Sequence, residues 1–390
     1  MKLDYKEPST DEKDLRFNNI INEMEKHDIY ALIIGGNGHW WTGRGYFRYL
    51  TDFHLWGHDG LIYFPIDDDP TLVLTSAAVA KKIQSRGWIK NCYGDLFLGD
   101  KLISLIDKKK VKGKKISIIG GENIISYNNY IALVEGLNQS IILENNTILD
   151  KIKMSKTVWE IDQIYNLWEL AKHTLNLFES NVLNYSKQNK TKIQLSTDIT
   201  SILWENGIRD LLIFYGDEIG KYYHPNNDKI KVNDKIRYHL EICGPSGHWL
   251  EITKNLSFKK ISNYESKLMK DELDIFQLML SYIKEGVTLK QAGEFYKKCI
   301  SDFNYPVELS NSFDFHGQGL DTIEKPYYNC MVNNDSENWF LKENICLSYH
   351  PKKVSITENM WSTGINEDIL VQKDKSVRFS KNWNHNWIEM

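Results

Sequence analysis

The feature that most constrains this chain is a long stretch of helical periodicity, from about Thr157 to Leu183. Within it, apolar side chains recur at positions 158, 161, 165, 168, 171, 175 and 178, which is the spacing of one helix face. A helix of this length must pack its apolar face against other elements, so we expect it to be the first long element of a domain. The chain has 390 residues, 42% of them hydrophobic, which is enough for two cores. We therefore predict one domain over residues 1–150 and a second over 151–390.

The sequence before this helix alternates short β-type runs with helical ones. Five runs have the apolar, β-branched character of buried strands: Tyr30–Ile34, Leu61–Phe64, Thr71–Thr75, Lys115–Ile119 and Ile141–Glu144. A helical segment at Ala77–Ser85 lies among them, and glycine and proline residues punctuate the pattern. Alternation at this spacing predicts an α/β domain with three layers.

The second domain combines further helices with separate strands. Helical patterns cover about 192–206, 262–284 and 288–302, and Thr288 is placed to cap the last of these helices. Strand patterns lie near 211–215, 236–243, 249–258, 344–350 and 368–372. We therefore predict an α+β domain, with helices on one side and curved antiparallel strands on the other.

Composition excludes several classes of partner. The 48 basic and 52 acidic residues give a net charge of -4, which argues against binding to nucleic acid. No apolar run is long enough to cross a membrane, and the first residues are too polar for a signal peptide. The five cysteines are scattered, which is typical of free thiols in a reducing compartment. We expect a cytoplasmic protein without nucleic-acid or membrane partners.

A series of short motifs carries a family resemblance. In chain order they are Tyr46–Phe53, Lys153–Lys156 with Glu160 and Ile161, Tyr223–Pro225, Gly247–Lys254, His316–Asp321 with Glu324–Pro326, Tyr349–Pro351 and Asp368–Asp374. Together they resemble the creatinase/prolidase/methionine-aminopeptidase family, over about residues 20–380. The resemblance implies an α+β protein in which a C-terminal pita-bread domain follows an α/β creatinase-type N-terminal domain.

The family's metal-binding members hold two divalent ions with two Asp, one His and two Glu side chains. Matched by the resemblance, these positions carry Leu240, Glu251, His316, His350 and Gln372, and a catalytic histidine position carries Ile323. An apolar side chain cannot bind a metal, and a neutral amide is a weak ligand. The resemblance therefore implies a degenerate site with one remaining carboxylate, which is not dinuclear.

The first interpretation is a metal-independent hydrolase like creatinase, which cleaves a C–N bond without a cofactor. In this reading His224 is the general base and acid, and Glu251 anchors a positive group of the substrate. His316 and His350 supply further polar contacts. The substrate would be a small amine, guanidine or amino-acid derivative.

Two alternatives remain open. Two histidines and one carboxylate are the ligands of mononuclear iron sites, so Glu251, His316 and His350 are also candidates to hold a single iron, zinc or manganese ion. Such a site would support a hydrolase, a lyase or an oxygenase. The other alternative is an inactive pita-bread protein that only binds its ligand.

Substrate recognition is expected to involve aromatic and cationic residues. Arg44 and Arg48 are candidates to bind a carboxylate, and Trp41 to stack on a planar or cationic group. Tyr223 and Gln372 are expected to line the same pocket. By resemblance to creatinase-like dimers, we expect a homodimer in which the N-terminal domain of one subunit contributes to the partner's site.

Overall fold

The computed structural model describes residues 3–38, 42–144, 147–216, 222–231, 234–305, 315–329, 335–350 and 365–390, with the backbone alone at 354–356 and 359–361. The chain forms two compact units. The N-terminal unit comprises residues 7–153 and 320–322, and the C-terminal unit comprises residues 1–6, 154–319 and 323–390.

The N-terminal unit is built on one mixed sheet. Its strands are β1 (Ala31–Gly36), β2 (Gly60–Pro65), β3 (Thr71–Leu74), β4 (Asn91–Gly94), β5 (Lys115–Ile119) and β6 (Ile141–Leu143). Its helices are α1 (Thr10–Lys26), α2 (Arg44–Thr51), α3 (Ala77–Arg86), α4 (Leu98–Leu105), α5 (Lys108–Val111) and α6 (Tyr127–Gly136), and α7 (Ile148–Met154) ends at the unit boundary. The strands lie in the order β4-β3-β2-β1-β5-β6.

Helices cover both faces of this sheet. Leu32 and Ile34 pack into one apolar cluster, while Ala31 and Ile33 of the same strand pack into another. Neighbouring residues of a strand point to opposite faces, so the sheet separates two cores. The predicted three-layer α/β arrangement is confirmed.

In the part of the C-terminal unit that the structure describes, there are four long helices and a large sheet. The helices are α8 (Val158–Lys187), α9 (Lys192–Glu205), α10 (Asn263–Tyr282) and α11 (Leu289–Asp302), with a 3-10 turn at Asp335–Asn338. The strands are β7 (Asp210–Gly216), β8 (Tyr222–Tyr223), β9 (Lys235–Cys243), β10 (Trp249–Ser257), β11 (Phe315–Gly317), β12 (Glu324–Tyr328), β13 (Cys346–Tyr349), β14 (Val354–Ile356), β15 (Asn359–Trp361), β16 (Glu367–Val371), β17 (Ser376–Arg378) and β18 (Ile388–Glu389).

The long helices begin at side-chain caps that the sequence encodes. The side chains of Thr157, Thr191, Ser262 and Thr288 each accept a hydrogen bond from the backbone N–H of the third helical residue, and the Glu or Gln side chain of that residue accepts one from the backbone N–H of the cap. These capping boxes satisfy backbone groups that helix starts leave unpaired. The predicted cap at Thr288 is confirmed.

Among the helices that the structure describes, none is both long and apolar enough to cross a bilayer.

The large sheet runs in the order β12-β11-β13-β16-β10-β9-β7-β8, and β17 and β18 pair with β16 and β10. Along this path the neighbouring strands are antiparallel, as predicted. One face is covered by helices: Leu240 and Ile252 pack into a core with Trp168 of α8, and Tyr349 packs into a core with Phe276 of α10. The opposite face, here called the inner face, carries the polar residues between these apolar positions. The expected α+β class is confirmed.

Candidate functional site

Strand pairing gathers a set of polar side chains on the inner face. On β9 and β10, Glu241 pairs with Glu251 and His239 pairs with Thr253. The next strands along the sheet are β16, β13 and β11, where His316 lies opposite Ser348. The inner-face cluster consists of His239, Glu241, Glu251, His316, His350, Asn366 and Asp368. Five members lie on the four strands β9, β10, β11 and β16, and His350 and Asn366 are adjacent to the ends of β13 and β16, so the sheet itself fixes their positions.

Three members of the cluster converge on one point. Oε1 of Glu251 lies 3.4 Å from Nε2 of His316 and 3.8 Å from Nε2 of His350. One ligand atom from each of the three residues lies within 4.8 Å of the other two. All three side chains are buried. Two imidazoles and one carboxylate in this arrangement can bind a single divalent ion.

The orientation of His316 supports metal binding. Its Nδ1 lies 2.9 Å from the carbonyl oxygen of Gly317. A carbonyl only accepts, so Nδ1 carries the hydrogen and the Nε2 of the neutral ring presents a lone pair. That lone pair faces Oε1 of Glu251, which is also an acceptor. Two facing acceptors require a proton or a cation between them, and metal-binding histidines are typically oriented by such a backbone bond.

The other oxygen of Glu251 joins a hydrogen-bonded network. Asn366 donates from Nδ2 to Oε2 of Glu251 at 3.1 Å, and the same nitrogen lies 3.3 Å from Nδ1 of His239. Nε2 of His239 lies 2.9 Å from Oε1 of Glu241 and 3.7 Å from Oε2 of Glu251. With Nδ1 accepting from Asn366, His239 donates from Nε2 to Glu241. His239, Glu241 and Glu251 thus form a second group with metal-ligating side chains.

The carboxylates respond differently to burial. Burial alone would raise the pKa of Glu251, but the facing imidazoles of His350 and His316 bring it below its usual value. Burial, followed by repulsion from Glu251, raises the pKa of Asp368 well above its usual value. Both effects arise because charged groups in a low-dielectric interior depend on their immediate neighbours. Of these two carboxyl groups, Glu251 is the one held in the charged form.

One sequence expectation about the metal positions, the number of carboxylates that remain, is corrected. Leu240 packs into the helix-covered core, as an apolar residue should, but its neighbours His239 and Glu241 point to the inner face. With Glu251 and Asp368, the cluster therefore contains three carboxyl side chains, where the resemblance left one. Ile236, Tyr238, Leu240 and Ile242 alternate with the polar residues of β9, and this alternation already indicates which side chains face inward.

The structure does not bring Gln372 or Tyr223 to the cluster. Gln372 lies in the turn between β16 and β17, where its backbone bonds to Lys375, and Asn366 stands beside Glu251 instead. Tyr223 lies on the helix-covered face, where its hydroxyl accepts a hydrogen bond from Lys192 at 2.7 Å. The adjacent Tyr222 has its ring 5.5 Å from the ring of His239.

His224 lies at the border of the inner face. Its side chain is exposed, and its ring centroid is 4.8 Å from that of Phe214. The ring of Phe214 is in turn 5.9 Å from that of His239. His224 is therefore linked through an aromatic contact to His239, which is a member of the cluster.

The N-terminal residues proposed to bind substrate have clear contacts within their own unit. The guanidinium of Arg44 is buried and lies 5.5 Å from the ring of Trp56. Arg48 forms a 3.0 Å ion pair with Asp52. Trp41 lies outside the described residues. These contacts stabilise the start and end of α2, and the roles in substrate binding remain predictions.

Comparisons with solved structures bear on the fold. The Xaa-Pro dipeptidase from Bacillus anthracis has a TM-score of 0.76 at 14% identity, covering 97% of this chain and 100% of that one. For the X-Pro aminopeptidase from Thermotoga maritima the TM-score is 0.77 at 16% identity, covering 96% and 99%. For the prolidase from Pyrococcus horikoshii it is 0.71 at 17% identity, covering 95% and 99%. The predicted pita-bread fold is confirmed.

Sequence comparison identifies the family. No curated protein matches the chain significantly. The model of metallopeptidase family M24 matches residues 178–373, which include every member of the inner-face cluster. The chain belongs to metallopeptidase family M24.

Proposed function

We propose that this protein hydrolyses a C–N bond with a single divalent ion held by Glu251, His316 and His350. The observation that carries the proposal is the convergence of Oε1 of Glu251 with the Nε2 atoms of both histidines, at 3.4 and 3.8 Å. The backbone bond of His316 fits it for this role because it leaves Nε2 as an acceptor. This ligand set favours zinc, iron or manganese over magnesium, which prefers oxygen ligands.

A divalent ion at this position would polarise a substrate carbonyl and activate water. The chain's own residues hold and orient the ligands around it. Asn366 fixes one oxygen of Glu251 and so leaves the other for binding. His239 donates from Nε2 to Glu241 and accepts at Nδ1 from Asn366, which holds Glu241 beside Glu251. Leu240 and Ile252 exclude water beneath the cluster.

The comparisons support the bond type. The structurally similar proteins named above are a dipeptidase, an aminopeptidase and a prolidase, and two of these names specify Xaa-Pro substrates. Cleavage of such a substrate breaks a C–N bond. We therefore propose a small peptide or another small molecule with an amide-like or guanidine C–N bond as the substrate.

The experiment combines metal analysis with activity. Protein purified without chelators is assayed for bound metals and for cleavage of Gly-Pro, Ala-Pro, glycinamide and creatine, before and after chelation. We expect close to one zinc, iron or manganese ion per chain and activity that chelation removes and that metal restores. Protein that binds none of these metals, or activity that survives complete metal removal, would overturn the proposal.

Metal-independent hydrolysis with His224 as acid and base is the competing proposal. The aromatic contact from His224 through Phe214 to His239 favours it, because it places His224 at the border of the cluster. The His224→Ala and His316→Ala variants separate the two proposals. Loss of activity in His224→Ala with retained activity after chelation supports the metal-independent mechanism. Loss of both metal and activity in His316→Ala supports the metal-dependent one.

A further inference from the structure

A small pocket lies in the N-terminal unit, at the end of the sheet where the chain turns from β2 into β3. Tyr63 of β2 lies opposite Thr71 of β3, and Thr71 lies opposite Asn91 of β4. Residues in such a row point to the same face of a sheet, and Tyr63 packs on the face that Leu102 of α4 covers. With Tyr30, which precedes β1, the row lines a pocket of about 140 Å³.

The pocket is acidic. Its lining includes Asp68, Asp69 and Asp107, and among the residues that the structure describes Lys110 is the basic one. Lys110 lies 3.3 Å from Asp68, and the two side chains are 52% and 62% exposed. Exposed ion pairs are weak, so Lys110 offsets the charge of the aspartates only in part. The remaining negative charge favours a cationic ligand.

The hydroxyl group of Tyr63 indicates that a ligand is missing. Tyr63 is 9% exposed, and its hydroxyl has no hydrogen-bond partner within the described residues. Burial raises the pKa of this hydroxyl, and the nearby Tyr30, Asp67 and Asp68 raise it further. These charges act on it through space, so the hydroxyl faces the acidic side of the pocket. Polar groups on buried residues are normally paired, whereas aspartates in a surface turn need no ligand.

The walls of the pocket indicate the shape of the cation. The hydroxyl of Tyr30 donates to Oδ1 of Asp67 at 3.0 Å, which holds the aromatic ring beside the acidic turn. Aromatic faces attract cations, and Nζ of Lys114 already lies 5.7 Å from the centroid of the Tyr30 ring. A guanidinium group is planar, stacks on aromatic rings and offers five N–H donors to carboxylate oxygens.

The size and the apolar lining fit a guanidinium group on a short chain. Pro65 and Leu105 line the pocket between the polar residues. Cationic side chains commonly pack their methylene groups on apolar surface of this kind. A cavity of about 150 Å³ can hold a benzene molecule, so this pocket can accept a group of similar size.

We propose that this pocket, here called the tyrosine pocket, binds a guanidinium group on an aliphatic stem. The group belongs either to an arginine side chain of a peptide or to a small free guanidine. Asp69 and Asp107 accept its N–H groups at the mouth, and the oxygen of Tyr63 accepts another inside. The inference goes beyond the proposed function, because the tyrosine pocket shares no residue with the inner-face cluster.

The test measures binding to the full chain by ligand-detected NMR titration, at pH 7.5 and constant ionic strength. The probes are N-acetyl-arginine amide, its uncharged analogue N-acetyl-citrulline amide, N-acetyl-lysine amide and methylguanidinium chloride. We expect saturable binding of the arginine derivative and weaker binding of the citrulline and lysine derivatives. Tighter binding of the arginine derivative than of methylguanidinium identifies a peptide side chain as the ligand, and equal or weaker binding identifies a free guanidine.

Two conservative variants locate the binding. Tyr63→Phe keeps the ring and removes the hydroxyl, so the affinity for the guanidinium probes should fall roughly 10-fold, as for loss of a hydrogen bond to a charged group. Asp69→Asn should lower it roughly 2- to 5-fold, as for an exposed ion pair. Asp59→Asn is the matched control, because Asp59 is exposed and precedes the other end of β2. It makes the same change of charge and should bind as the wild type does.

Three results would overturn the tyrosine pocket. The first is the absence of saturable binding of either guanidinium probe to the wild type. The second is a citrulline or lysine derivative that binds as tightly as the arginine derivative, because the pocket would then not select a guanidinium group. The third is an equal affinity of wild type, Tyr63→Phe and Asp69→Asn, which would place the binding elsewhere on the chain.

Discussion

Nε2 of His316 and Oε1 of Glu251 face each other at 3.4 Å, although the backbone bond of His316 leaves both atoms as acceptors when the ring is neutral. The carbonyl of Gly317 fixes one ring nitrogen, and the strand pairing fixes the other toward the carboxylate. The ring is thus preorganised for a positively charged ligand. This relationship distinguishes His316 from His224, whose side chain is exposed.

The first prediction concerns the proposed ligands. His316→Ala and His350→Ala should each lower zinc affinity, because each removes one of three ligands. This loss of zinc affinity should exceed the roughly 10- to 100-fold loss that results from substituting a residue that only orients a ligand. Affinity is measured by competition with a chromogenic chelator at pH 7.5. His224→Ala is the control and should bind zinc as the wild type does. Equal affinities in all four proteins would contradict the ligand assignment.

The second prediction concerns Asn366, which orients Glu251 without being a proposed ligand. Asn366→Ala removes the 3.1 Å hydrogen bond to Oε2 of Glu251, so the carboxylate can rotate away from the histidines. We expect a loss of zinc affinity of roughly 10- to 100-fold, smaller than that of His316→Ala, in the same competition assay. An affinity equal to that of the wild type would show that the amide does not position the carboxylate.

Much of the fold could be predicted because its elements have strong local signals. Each of these signals lies within a short stretch of neighbouring residues. Examples are the helical period of α8, the capping residue Thr288 and the apolar runs of β9 and β10. The two-residue strand β18 was not predicted, because its parallel pairing with β10 depends on residues more than a hundred positions away. Short segments held by such distant contacts have no local pattern of their own.

The site was harder to predict because its composition depends on strand register. The position matched to the first metal ligand lies eleven residues before Glu251 and carries Leu240. Successive side chains of a strand point to opposite faces of the sheet, so a shift of one position moves from the helix-covered face to the inner face. The turn at Gly244–Gly247 sets the register of this hairpin, and it brings Glu241 opposite Glu251. Asp368 could not be placed from the motifs, because its position beside Glu251 requires the non-sequential order of β10, β16 and β13.

The third prediction concerns the ion pairs that Glu367 of β16 forms with Arg378 and His385. Glu367 is completely buried, accepts from Nε of Arg378 at 3.0 and 2.9 Å, and pairs with Nε2 of His385 at 2.6 Å. Arg378→Met would leave a buried carboxylate partly uncompensated, so we expect the free energy of unfolding to fall by about 3 kcal/mol.

The measurement for Arg378→Met is urea unfolding followed by tryptophan fluorescence. Lys298→Met is the control, because it removes an ion pair with Asp302 whose side chains are 67% and 57% exposed. Exposed pairs contribute little, so this variant should unfold at the same urea concentration as the wild type. If both substitutions lower the free energy of unfolding equally, the burial of Glu367 does not make its ion pair with Arg378 contribute more to stability than an exposed ion pair.

The fourth prediction is a pH dependence of stability that comes from Glu272. This side chain is buried and accepts a hydrogen bond from Tyr296 at 3.1 Å, and burial raises its pKa from 4.5 to about 7. Between these two values the folded protein keeps a proton that the unfolded chain releases. Stability from this group is therefore complete below pH 4.5 and falls as the pH rises to 7, by about 3 kcal/mol in total.

Glu272→Gln tests this dependence because an amide does not titrate and its oxygen can still accept from Tyr296. Urea unfolding is measured for both proteins from pH 5 to 8. We expect Glu272→Gln to be the more stable protein at pH 8, and its advantage to shrink as the pH falls to 5, where the wild-type side chain is protonated. A stability difference that stays constant over this range would mean that Glu272 does not change its charge there.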